Sequence, residues 1–164
     1  MPRDRIFHTI EELQAELAKM RPVSRAEQIT ERLSFPNLSA SEVAIWQKFI
    51  AANPAFAITT LYDILIGVGA DLGPDADPAT RHLAKLLSMK RIDAVQILPD
   101  CIRIFEIKPN AGLAGFGQLL SYRALWIIRY GPEPPIDLWL ITDVERADMR
   151  TTATALGVHY VVTG

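Results

Sequence analysis

Apolar and polar positions alternate along this chain with two different periods, and those periods predict most of its elements. Ile10, Leu13, Leu17 and Met20 form a stripe at helical spacing, and Thr9-x-x-Glu12 before it is a capping box, so Thr9 to Met20 is predicted helical. Arg21-Pro22 ends that helix. A second short helix is predicted over Ser24 to Leu33, followed by a break at Ser34-Phe35-Pro36-Asn37. Ser39-x-x-Glu42 is another capping box and opens a helix through Val43, Trp46, Phe49 and Ile50, stopped by Asn53-Pro54.

From residue 57 onward the period changes. Ala57 to Val68 carries the β-prone run Leu61-Tyr62-Asp63-Ile64-Leu65-Ile66 and is predicted as a strand. Residues 67–78 are rich in Gly, Asp and Pro and predict a loop, and Ala79 to Met89 predicts a helix. Arg91 to Leu98 and Cys101 to Lys108 read as a hairpin around Pro99-Asp100. Gly112 to Tyr130 is a long helix with Leu119, Leu120, Leu125 and Ile128 on its apolar side. After the rigid break at residues 131–135, Asp137 to Thr142 is a short apolar strand of the buried type. Glu145 to Leu156 is a helix ended by Gly157, and His159 to Thr163 is a last strand. This order predicts an α/β fold, a mixed sheet with helices on both faces, over residues 39–164. Residues 1–38 are expected to form an added N-terminal helical extension.

Composition narrows the class. The chain has 164 residues, 49% hydrophobic and 22% charged, as one globular domain would have. No apolar run approaches the ~18 residues of a membrane span, and the polar start Met1-Pro2-Arg3-Asp4-Arg5 lacks a following apolar signal region. With one cysteine, Cys101, neither an internal disulfide nor a cysteine-based zinc site can form. A cytoplasmic protein without membrane association is expected, in the host cytoplasm or a virion if a phage encodes it. The net charge of −2 carries no whole-chain nucleic-acid signature. Residues 79–130, however, hold eight Lys/Arg (81, 85, 90, 91, 103, 108, 123, 129) against Asp93, Asp100 and Glu106, so this segment is +5 and the remainder −7. A local basic surface of that kind suits a polyanion.

The chemistry centres on the hairpin. In Ile102-Arg103-Ile104-Phe105-Glu106-Ile107-Lys108, alternation puts Ile102, Ile104, Glu106 and Lys108 on one face. An acid and a base thus follow two isoleucines toward the core, where charge needs a partner, a metal or water. Pairing about Pro99-Asp100 matches residues summing to about 199, by simple hairpin geometry, which sets Asp93 opposite Glu106. Oxygen ligands suit Mg²⁺ or Mn²⁺ rather than zinc. A lysine beside them can position a water or stabilise developing charge. An ordinary Glu–Lys cross-strand pair would give the same letters. In the next helix, Gln118 and Tyr122 share a face at i, i+4, with Arg129 two turns further along the same side.

Asp93, Glu106-Ile107-Lys108 and Gln118-Leu119-Leu120-Ser121-Tyr122 together resemble the PD-(D/E)XK nuclease superfamily, and the Gln-x-x-x-Tyr element resembles its RecB-like exonuclease branch. The resemblance covers residues 39–164. It implies a restriction-endonuclease-like sheet and a catalytic metal, Mg²⁺ or Mn²⁺, held by Asp93, Glu106 and the Ile107 carbonyl. It also implies that Lys108 assists catalysis, that Gln118 and Tyr122 support the site, and that DNA is the substrate. The usual Pro-Asp is here Ile92-Asp93, and the acid before the lysine motif is Glu where the RecB branch often has Asp.

Other residues have simpler readings. Glu42 is explained by its capping box, with a role at the metal as the alternative. Asp63, in an apolar strand, serves a backbone amide, a nearby arginine or catalysis. Gly67-x-Gly69-x-x-x-Gly73 lacks dinucleotide-binding spacing. Asp71, Asp75 and Asp77 belong to a solvated loop, and Cys101 to a strand. His8, His82 and His159 lack metal-ligand spacing. Gly112, Gly115 and Gly117 let backbone amides approach phosphate, or let the helix start close to the sheet. The expected function is metal-dependent hydrolysis of DNA. The alternatives are a non-catalytic nuclease-fold module for nucleic-acid binding or particle assembly, with a homo-oligomer or protein partner held by the N-terminal helices, and an RNA hydrolase on the same fold.

Overall fold

The computed structural model describes residues 6–20, 26, 35 and 37–164. Its elements run α1 (Ile10–Lys19), α2 (Ala40–Ala52), a 3-10 turn (Pro54–Phe56), β1 (Leu61–Ile66), α3 (Pro78–Ser88), β2 (Lys90–Ile97), β3 (Ile102–Ile107), α4 (Leu113–Tyr130), β4 (Ile136–Thr142), α5 (Ala147–Leu156) and β5 (Val158–Val162). The helix expected over Ser24 to Leu33 lies outside the described residues except for Ala26.

The strands form one mixed sheet in the order β1-β2-β3-β4-β5. β1, β2 and β3 are an antiparallel meander, and β3, β4 and β5 are parallel. The parallel steps need crossovers, which α4 and α5 supply. β4 is paired on both sides and flanked on both faces, which accounts for its apolar run.

Each face of the sheet carries its own core. Ile64, Ile104, Leu138 and Leu140 pack with Phe116, Leu119, Trp126 and Met149 from α4 and α5. Phe7 and Leu13 belong to the same cluster and are fully buried. The described part of the N-terminal extension therefore shares the main core. The Tyr130 hydroxyl donates to the Phe7 carbonyl at 2.9 Å and ties it down. On the opposite face, Ala94, Phe105, Ile107 and Ile141 pack under Ile45, Trp46, Phe49 and Ile50 of α2. Trp46 Nε1 donates to the Tyr62 hydroxyl at 2.9 Å, and burial pushes that phenol up to about 12.

Local chemistry sets the ends. Ser39 and Glu42 make both bonds of the capping box at α2. At α1, Thr9 accepts from the Glu12 amide, but the Glu12 carboxylate reaches past Thr9 to the His8 amide at 2.8 Å. The strand expected from Ala57 begins only at Leu61, because the preceding turn is held by Gln96 Nε2 on the Phe56 carbonyl and on Thr60 Oγ1. Gly157 ends α5 in the left-handed conformation, φ 65°. Gly115 has a steric role. A Cβ there would lie 2.9 Å from Leu140 Cδ1, so glycine lets α4 start close against the sheet.

Candidate functional site

The hairpin register is the expected one as far as Ala94↔Phe105, Val95↔Ile104, Gln96↔Arg103 and Ile97↔Ile102. The ladder stops one pair short of Asp93 and Glu106. The Ile102 and Lys108 amides both donate to the β4 side, to Pro135 and Ile141 carbonyls. By alternation the Ile107 amide faces β2. There it donates to Asp93 Oδ2 at 2.8 Å. A side-chain carboxylate thus stands where a ladder carbonyl would, and strand geometry turns the Ile107 carbonyl to the same side.

The interruption extends into β1. Pairs Tyr62↔Ala94 and Ile64↔Ile92 flank it, and Asp63 and Asp93 between them are unpaired in the ladder. Leu61 and Ile64, three residues apart, both face α4, and so do Ile92 and Val95. A regular strand would send such residues to opposite faces. Both strands therefore turn over together at these two aspartates. Asp63 has φ 57°, in the left-handed region where Asp and Asn are enriched among non-glycine residues. Both its carboxylate oxygens lie 2.8 Å from Arg91 Nη1.

Glu106 lies on the α4 face, as alternation predicts, and is 4% exposed. Lys108 Nζ is 3.8 Å from Glu106 Oε1 and donates to Gln118 Oε1 at 3.2 Å. Gln118 Nε2 reaches the Tyr122 hydroxyl at 3.5 Å. Tyr122 is itself buried beside Glu106, and burial with the two nearby carboxylates raises its pKa. Asp93, Glu106, Lys108, Gln118 and Tyr122 are thus brought together. Arg129, expected along the same side as Tyr122, is not. Its guanidinium bonds the Leu65 and Gly67 carbonyls at the end of β1.

Charge is poorly balanced here. Burial pushes the Asp93 carboxyl up strongly, the Ile107 amide opposes this, and the charge of Glu42 adds to it. Burial likewise pushes Glu106 up, Asp93 adds to it, and Lys108 and Tyr122 oppose it. Among the described residues, buried Glu106 Oε2 has no hydrogen-bond partner. One half-buried and one buried carboxyl close together, one oxygen without a donor and a main-chain carbonyl on the same side fit a hard divalent cation better than a finished ion pair. Among the described residues, no three His, Cys, Asp or Glu side chains are grouped to hold a metal.

Glu42 fills its capping role, with Oε2 accepting from the Ser39 amide at 2.7 Å, yet its charge is felt at both carboxyls. His159 stacks on Trp139 with ring centroids 4.0 Å apart. The basic segment is partly turned inward. Arg91 holds Asp63, Arg103 lies over the Phe56 ring, and Arg129 caps carbonyls. A recess of about 490 Å³ beside α3 is lined by Arg81, His82 and Lys85, and one of about 350 Å³ lies between the first turns of α4 and α5 with Arg146. The sheet topology sets both recesses at the end of the sheet that carries Lys108.

Among the described residues no helix is long and apolar enough to cross a membrane. Compared with protein-family models, curated proteins and solved structures, the chain finds no match.

Proposed function

We propose that the chain is a metal-dependent nuclease of the PD-(D/E)XK type, with a restriction-endonuclease-like core, acting on DNA. One observation carries this reading. A half-buried Asp93 and a buried Glu106 both have raised pKa values, the charge of Asp93 pushes Glu106 up further, and Glu106 Oε2 has no donor among the described residues. A fold keeps such a pair at a cost of several kcal/mol unless a cation completes it. Asp93, Glu106 and the Ile107 carbonyl would hold Mg²⁺ or Mn²⁺, which when bound supplies a more acidic water and stabilises charge on a phosphodiester. Lys108, kept in place by Gln118, orients the attacking water or meets the negative charge developing on the phosphate. Tyr122 fixes Gln118 and shields the carboxyls from bulk water. The recesses at the same end of the sheet, one lined by Arg81 and Lys85 with Asp71 and one by Arg146 with Asp148, offer cations to a phosphate backbone.

The test incubates the protein with linear, nicked, branched and single-stranded DNA and with RNA, in Mg²⁺, Mn²⁺ or EDTA. Cleavage of DNA in metal only, strongly reduced by Lys108→Ala, is expected. No cleavage of any substrate, together with stable incorporation into an assembly, would instead favour a non-catalytic module. Preferential cutting of RNA would reassign the substrate.

A further inference from the structure

We infer that Asp63 and Arg91 are positioning residues that hold the Asp93 carboxylate at the site. The inference deepens the nuclease reading and rests on it for its metal-binding readout alone. β1 and β2 pair in one register on both sides of Asp63 and Asp93, yet both strands turn over between those sides. A strand turns over in this way when one of its residues leaves the extended region. In β1 that residue is Asp63, at φ 57°. Its side chain, 5% exposed, is gripped at both carboxylate oxygens by Arg91, two residues before Asp93 on the neighbouring strand. The grip ties the break in β1 to the stretch of β2 that delivers Asp93. Asp93 then leaves the ladder, and its Oδ2 takes the Ile107 amide. In regular strands Asp93 would pair through its backbone, and its side chain would follow the alternation of one half of β2 or the other. Asp63 acts through the shape of β1 and the reach of Arg91.

Two readouts test this. In metal-free protein, the Ile107 amide resonance reports whether its acceptor is the Asp93 carboxylate. Asp63→Val disfavours the left-handed conformation. It should move that resonance in the same direction as Asp93→Ala does. Asp63→Asn, which tolerates that conformation and still accepts from Arg91, should leave it near the wild-type position. If Asp63→Val does not fold, Arg91→Met, which keeps the backbone and removes the grip, should give the same sign of shift. The second readout is Mn²⁺ alone, titrated by calorimetry. Asp63→Val or Arg91→Met should weaken binding roughly 10- to 100-fold, as loss of a residue orienting a metal ligand does, and Asp63→Asn should restore it. A folded Asp63→Val or Arg91→Met protein with an unmoved Ile107 resonance and wild-type Mn²⁺ affinity would overturn the inference. A wild type that binds no Mn²⁺ overturns the nuclease reading, and the Ile107 resonance then decides the positioning claim by itself.

Discussion

Replacing Glu106 by glutamine should stabilise the metal-free protein, although it removes a side chain from the proposed site. Burial and the charge of Asp93 raise Glu106 from 4.5 to about 8. A carboxyl whose folded pKa lies above its unfolded value weakens folding once pH exceeds the unfolded value, and the penalty is complete above the folded one. At pH 7 the gap from 4.5 spans about 2.5 units, or roughly 3 kcal/mol at about 1.4 kcal/mol per unit. Asp93 is raised from 3.8 to about 7. The two share their mutual repulsion, so the penalties do not add. Glutamine has the same shape without the charge. Its gain should be about 2–3 kcal/mol, or about 4–12 °C in Tm for a domain of this size. The assay is thermal unfolding in EDTA at several pH values. The wild-type Tm should fall as pH rises from 5 to 8, and Glu106→Gln should reduce that slope. Excess Mg²⁺ should raise the wild-type Tm at pH 8 and leave the variant nearly unchanged. A variant less stable than wild type at pH 8 in EDTA, with an equal pH slope, would refute the reasoning.

Further outcomes follow from the same geometry. Lys108→Ala should lower kcat on DNA by about 10²–10³ with little change in KM, since the ammonium acts on charge that develops in the reaction; steady-state kinetics checks it. Tyr122→Phe removes the hydroxyl next to Gln118 and Glu106. It should lower kcat by about tenfold, as a lost supporting group does, without lowering Tm by more than about 1 kcal/mol equivalent. Gly115→Ala sets a methyl 2.9 Å from Leu140 Cδ1 and should cost about 1–3 kcal/mol in denaturant unfolding. Ser39→Ala loses the α2 cap and should cost about 1 kcal/mol by the same measurement.

The elements were largely legible because their signals are local. The Ser39 box and Gly157 each fix a boundary within a few residues. The apolar side expected for α4 was displaced: Ile128 is exposed, and Phe116, Leu119, Tyr122 and Trp126 form the stripe that meets the sheet. The register of β2 and β3 followed from the tight turn at Pro99-Asp100. What was hidden depends on contacts distant in sequence. Asp63 read as an anomaly in an apolar strand, and only the pairing of β1 with β2 shows that it sits opposite Asp93 and meets Arg91. The basic segment 79–130 read as one surface because sequence carries no direction for a side chain. Folding sends Arg91, Arg103 and Arg129 to internal partners and leaves Arg81 and Lys85 lining a recess. The helical extension looked separate because its amphipathic stripe does not name the surface it covers, and Phe7 and Leu13 complete the sheet's own core. At the site, periodicity placed Glu106 on the α4 face. It could not show that Asp93 would leave the ladder to take the Ile107 amide.

The central claim is that Asp93 and Glu106 form one divalent-cation site. Calorimetric titration of the purified chain with Mn²⁺ at neutral pH tests it most directly. One ion per chain, with protons released on binding, lost in Asp93→Asn and Glu106→Gln but kept in Lys108→Ala, is the predicted result. Equal heats for wild type and both carboxyl variants, or no binding by a folded wild type, would contradict it.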